Sequence, residues 1–230
     1  MLTLFHHPFS AASRFVRLAM AEYGVTPDLV VEKPWERRRE FLLLNPAGTL
    51  PVAIENDGPP ICGPSVIMEY LDETRGYAMG DRRLMPAHAE TRAEVRRLVE
   101  WFLGKFDQEV VGYLVHEKIY KLEIPRVQGG GEPDSAVLRA ARTNIRHHLK
   151  YIGWLTATRD WLGGARLSFA DLAAAAALSC VDYLGEVPWD DEKDTKAWYM
   201  LVKSRPSFRG ILADKILAIP PAASYADLDF

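Results

Sequence analysis

The sequence predicts an α+β fold: a small βαβαββα domain over residues 1–79, then an all-α domain over residues 88–219. Three observations carry this. Short β-prone runs alternate with helix-patterned stretches only in the first third of the chain. Strand signals vanish beyond Gly80, and long stretches with apolar residues every three or four positions take over.

The elements follow in order. Leu2 to Phe5 is a first strand. Ser10 to Tyr23 is a helix with Val16, Ala19, Met20 and Tyr23 on one face, stopped by Gly24. Leu29-Val30-Val31 is a second strand, and Trp35 to Leu44 a short helix closed by Asn45-Pro46. Pro51 to Ile54 and Pro60 to Cys62 are strands joined by the turn Glu55-Asn56-Asp57-Gly58, and Ser65 opens a helix through Leu71. Residues 80–87 form a linker. From Ala87 to about Tyr120, Val95, Leu98, Val99, Phe102, Phe106 and Val110 mark one long helix. After the Gly129-Gly130-Gly131 break, Glu132-Pro133-Asp134-Ser135 supplies cap chemistry for a helix reaching Trp161. Ser168 and Asp171 have capping-box spacing before an alanine-rich helix that reads as central and buried. Two short helices, Thr195 to Ser204 and Phe208 to Leu217, complete the bundle, and residues 220–230 form an acidic-aromatic tail.

Composition removes several classes of function. The 28 Lys and Arg against 31 Asp and Glu give a net charge of −3, and no basic run exceeds Arg37-Arg38-Arg39, so nucleic-acid binding has no electrostatic basis. Two cysteines, Cys62 and Cys180, fit a reducing compartment. The N-terminus reads as neither signal peptide nor membrane span, so a cytoplasmic protein without membrane insertion is expected. His6-His7 and His147-His148 lack the spacing of metal ligands, and no metal or cofactor is expected. The loop Phe9-Ser10-Ala11-Ala12-Ser13 contains no cysteine, which argues against redox chemistry.

Several motifs resemble the soluble glutathione transferases. They are the loop and helix start from Phe5 through Arg17, the loop from Asn45 to Val52, Ser65 through Leu71, and the Ser168–Asp171 box. The resemblance implies a thioredoxin-like first domain, a cis peptide before Pro51, and a homodimer formed along the long helix that carries Arg92, Glu94, Arg96, Arg97 and Glu100. It also implies a glutathione cradle of Leu50, Pro51 and Ser65, with Ser10 as the hydroxyl that would stabilise the thiolate, then Ser13, and His6 or His7 behind them. Read from residue type alone, Ser10 or Ser13 is equally a helix cap. One position departs from the family pattern. Pro64 stands where relatives carry an acidic or amide side chain for the γ-glutamyl end. That loss of a charge-assisted hydrogen bond implies weak or no glutathione binding.

The opening residues, the segment from Trp35 to Pro51 and the ending from Tyr225 to Phe230 resemble a narrower branch of this fold, bacterial cell-division proteins that bind FtsZ filaments. This branch implies an interaction protein acting at the division site. The alternative is an active serine-type transferase conjugating glutathione to a small electrophile. For partner binding, the candidates are the tail residues Tyr225, Asp227, Leu228, Asp229 and Phe230, which place apolar anchors among carboxylates. Trp35 and Arg38, residue types frequent in interface hot spots, form a second candidate patch with Arg37, Phe41 and Leu42.

Overall fold

A computed structural model describes residues 1–216 and 218–227. The strands are β1 (Leu2–His6), β2 (Asp28–Val31), β3 (Val52–Glu55) and β4 (Ile61–Cys62). They form one sheet in the order β2-β1-β3-β4, with β1 parallel to β2 and antiparallel to β3. Parallel β1 and β2 need a crossover, and α1 (Ala11–Glu22) provides it. The β3–β4 turn places Asn56 and Asp57 at positive φ, 49° and 59°, which Asn and Asp tolerate best among residues with a Cβ.

The helix expected from Trp35 to Leu44 is interrupted. A single 3₁₀ turn (Pro34–Glu36) ends at Arg37, whose φ of 48° is left-handed, and α2 (Arg39–Leu44) starts afresh. The helix expected from Ser65 begins one residue earlier, as α3 (Pro64–Arg75). Proline is favoured at a first helical position because its missing N–H would be unpaired there anyway. The linker is not loose: Leu84 and Met85 are buried, and the Leu84 N–H donates to the Tyr23 hydroxyl.

The long helix α4 runs over residues 89–123 and contains three wide turns. The N–H groups of Phe106, Gly112 and Lys121 bond five residues back, to the carbonyls of Trp101, Asp107 and His116. Phe102, Phe106, Val110 and Leu114 recur at intervals of four and are all fully buried. A strict interval of four drifts around a helix of 3.6 residues per turn, and the wider turns offset that drift.

Helix α5 (Ser135–Thr158) ends three residues short of Trp161, which instead bridges Gly164. Its N-cap is Asp134, whose carboxylate accepts from the amides of Ala136 and Val137. Helix α6 (Phe169–Tyr183) is buried along its whole length and packs on α1, so the two domains share one continuous core. The capping box of Ser168 and Asp171 forms at its start. Helix α7 (Lys193–Lys203) follows. Only the short α8 (Arg209–Leu212) occupies the next predicted helix, and Leu217 lies outside the described residues. A last turn, α9 (Ala223–Ala226), ends the described chain.

Candidate functional site

The candidate site lies where β1 runs into α1. Ser10 adopts the extended cap conformation, and its Oγ accepts from the Ser13 amide at 3.2 Å. Its side chain remains half-buried and reachable. Ser13 does not: it is fully buried, and its Oγ accepts from the His7 amide at 3.3 Å. As a second thiolate-stabilising hydroxyl, Ser13 is ruled out by burial. His7 Nδ1 accepts from the Phe9 amide at 3.2 Å, so a neutral His7 carries its proton on Nε2. Burial pulls His7 down to about 4 and His6 to about 3, which keeps both rings neutral at ordinary pH.

The second wall is the loop before β3. The peptide Leu50–Pro51 is cis. Asn45 is buried and organises the loop: its Nδ2 donates to the Thr49 carbonyl at 2.9 Å and its Oδ1 accepts from the Ala47 amide at 3.2 Å. Gly48, at φ 67°, closes the turn onto the Asn45 carbonyl. The Gly63 amide donates to the Pro51 carbonyl at 3.0 Å, which seats the start of α3 beside this loop. Ser65 is exposed on the first turn of α3, next to Pro64, which offers no polar group.

The groove between the domains is bridged. Trp35 packs its ring against Tyr120 of α4 at 4.9 Å between centroids, and His7 packs against both, at 5.6 Å and 4.8 Å. Lys33 pairs with Glu123 at 2.8 Å across the same gap. Burial pushes the Tyr120 phenol well above the usual tyrosine range. The carboxyl of Asp107, also on α4, makes no hydrogen bond or ion pair with the side chain of any described residue, and burial raises it to about 6. Trp35 is therefore half-buried in a ring cluster, not free at a rim. Arg38 is exposed, but its guanidinium is already engaged with the buried Glu32, at 2.7 Å. Phe41 is buried and packs against Phe5.

The tail divides at Tyr225. Its ring is fully buried, 5.0 Å from that of Tyr183, and its hydroxyl donates to the Ile211 carbonyl at 2.9 Å. Tyr225 thus anchors the tail, which corrects the expectation that it is presented to a partner. Asp227 is exposed, and Leu228, Asp229 and Phe230 lie outside the described residues.

Reading the sequence missed Tyr120 as a groove residue and Arg14 as a strut. Arg14 is fully buried, donates to the Pro8 carbonyl at 2.6 Å and to Ser179 at 2.9 Å, and lies 3.6 Å from Asp214. Its place between Ser10 and Leu18, four residues from each on the buried face of α1, was a signal available in the sequence. Among the described residues, no group of three or more His, Cys, Asp or Glu could hold a metal ion. Among the described residues no helix is long and apolar enough to cross a membrane.

The family models for the glutathione S-transferase N-terminal and C-terminal domains match residues 9–74 and 108–206. FtsZ-localized protein A of Caulobacter vibrioides is 47% identical over 231 residues, covering 99% of this chain and 98% of that protein. The chain belongs to the glutathione S-transferase family. Two solved members of the family superpose on it along the whole chain. One is a glutathione S-transferase from Sinorhizobium meliloti 1021, with 54% identity, full coverage of both chains and a TM-score of 0.98. The other is FzlA from C. crescentus, with 46% identity over 100% of this chain and 99% of that one, and a TM-score of 0.90.

Proposed function

We propose that this glutathione S-transferase family member is an interaction protein that binds FtsZ filaments in the cytoplasm and acts in bacterial cell division, with weak or no glutathione binding. The observation that carries the reading is the end-to-end similarity to FtsZ-localized protein A. Two features of the groove support it. Pro64 offers no polar group at the far end of the cradle, and the Trp35–His7–Tyr120 cluster bridges the groove between the domains. Contact with the filament is assigned to the acidic end of the sequence, Asp227 to Phe230, and to the Trp35 and Arg38 face.

The test is co-sedimentation with purified FtsZ assembled in GTP, beside calorimetric titration of glutathione. The full chain pellets with filaments, a chain ending at Ala226 stays in the supernatant, and its melting temperature falls by no more than a few degrees. Undiminished pelleting of the truncated chain refutes the assignment of the tail, and micromolar glutathione affinity refutes the weakened cradle.

A second reading, an active serine-type transferase, draws support from the 54% identical glutathione S-transferase of Sinorhizobium meliloti and from the cis Leu50–Pro51 loop and Ser10 cap. Thiol conjugation by the wild type that Ser10→Ala abolishes would establish it.

A further inference from the structure

Lys203, on the last turn of α7, is a lysine with no exposed side-chain surface. Lysine is almost never buried without a purpose that compensates for its desolvation. Its ammonium donates to the Ser224 carbonyl at 2.6 Å and to the Asp227 carbonyl at 2.8 Å, and lies 3.4 Å from Asp182 Oδ2. Two of these three acceptors are backbone carbonyls at the end of α9, where intrahelical donors run out. A cation placed there caps the turn and complements its dipole.

The arrangement is built from several directions. Asp182, fully buried on α6, also accepts from Trp189 Nε1 at 3.1 Å, the Tyr199 hydroxyl at 3.2 Å and the Ser224 hydroxyl at 3.1 Å. The Tyr225 ring lies between two buried cations, with Lys203 Nζ and the Arg14 guanidinium carbon each 5.8 Å from its centroid. Three residues of the tail, Ser224, Tyr225 and Asp227, are therefore held by side chains from α1, α6 and α7.

We propose that Lys203 is a positioning residue for partner docking. With Asp182 it clamps Ser224 and the Asp227 carbonyl, so that the tail is held at one fixed point of the surface as far as Asp227. Pre-ordering the segment spares the entropy that binding would otherwise cost, and this is how the clamp raises affinity without touching the partner. The inference rests on the filament-binding reading above.

The test uses Lys203→Met, which keeps the stem and deletes the donors. Because Asp182 would then be left without its cation, Lys203→Met combined with Asp182→Asn is the second variant, which leaves no buried charge unpaired. Each is measured for melting temperature, for the rate at which carboxypeptidase trims the C-terminus, and for FtsZ affinity in co-sedimentation. A folded variant, single or double, should be trimmed at least about tenfold faster than the wild type and bind filaments about tenfold more weakly or worse. Unchanged trimming overturns the clamp. Faster trimming with unchanged filament affinity overturns the positioning role. A wild type that does not pellet with FtsZ overturns the filament reading instead, and the trimming rates alone then decide whether the clamp exists.

Discussion

His6 and His7 end the first strand as neutral, buried imidazoles, and their burial has a consequence in acid. Both are held below the ordinary histidine value, at about 3 and about 4, chiefly by desolvation. Between those values and about 6.5 the unfolded chain binds more protons than the folded one, so stability falls as pH is lowered through that window. By pH 5 each histidine costs about 2 kcal/mol on the basis of 1.36 kcal/mol per unit. Asp107 works in the opposite sense: with its carboxyl raised to about 6, the folded state takes up its proton first and gains about 1–2 kcal/mol at pH 5. Two histidines outweigh one aspartate. Urea unfolding at pH 7.5 and pH 5 should show a loss of about 2–3 kcal/mol, and His7→Asn should remove about half of the histidine contribution. A midpoint that does not move with pH would show that these rings are hydrated and free to protonate. Neither effect is legible in the sequence. The alternation Leu2, Leu4, His6 places His6 on the inner face, but only the helices packed above that face remove its water.

Helix starts are the scale at which sequence and structure agree most closely, because a cap is a local device. Ser10 caps α1 with one hydrogen bond at a partly exposed site. Asp171 does far more: Oδ1 accepts from the Leu162 amide and Trp198 Nε1, and Oδ2 from the Ser168 amide and hydroxyl, all in a fully buried setting. Ser10→Ala should cost about 1 kcal/mol, the ordinary value of a cap. Asp171→Ala should cost about 3 kcal/mol or more, since it strands buried donors as well. Equal losses in urea unfolding would contradict this ranking. The capping box was visible as Ser168-Phe169-Ala170-Asp171. The bond to Trp198, 27 residues away, was not. The break at Arg37 was hidden for a related reason: the run from Trp35 to Leu44 has good helical composition, and the chain kinks so that Phe41 is buried while Trp35 reaches α4.

At the scale of the whole molecule, the surface of α4 and α5 is where a second copy would sit. The charges singled out along α4 are largely paired within the chain: Arg96 with Glu69, Arg97 and Arg159 with Glu94. Beside them lies an aromatic row that opens at one end, in which half-buried Trp101 packs on half-buried Tyr151 at 4.7 Å, Tyr151 stacks on Trp154, and Trp154 is 56% exposed. Large rings left open in this way are a common mark of an interface. The homodimer proposed from family resemblance should therefore run at twice the chain mass in sedimentation velocity at micromolar concentration. Trp154→Glu should shift it to monomer, and a wild type that sediments as a monomer would refute the dimer. A dimer would present two tails to one filament and bind through both at once.

Strand alternation, helix periodicity, the Asn-Asp turn and the capping box could all be read along the chain, because each depends on neighbours within a few residues. The placement of Tyr225 in the core, the burial of Lys203 against Asp182 and of Arg14 between the domains, and the closing of the groove by Trp35 and Tyr120 could not. In each of these the partners lie tens of residues apart or more. Whether an aromatic or a cation faces water or a counter-charge is settled by which distant segments the fold brings against it.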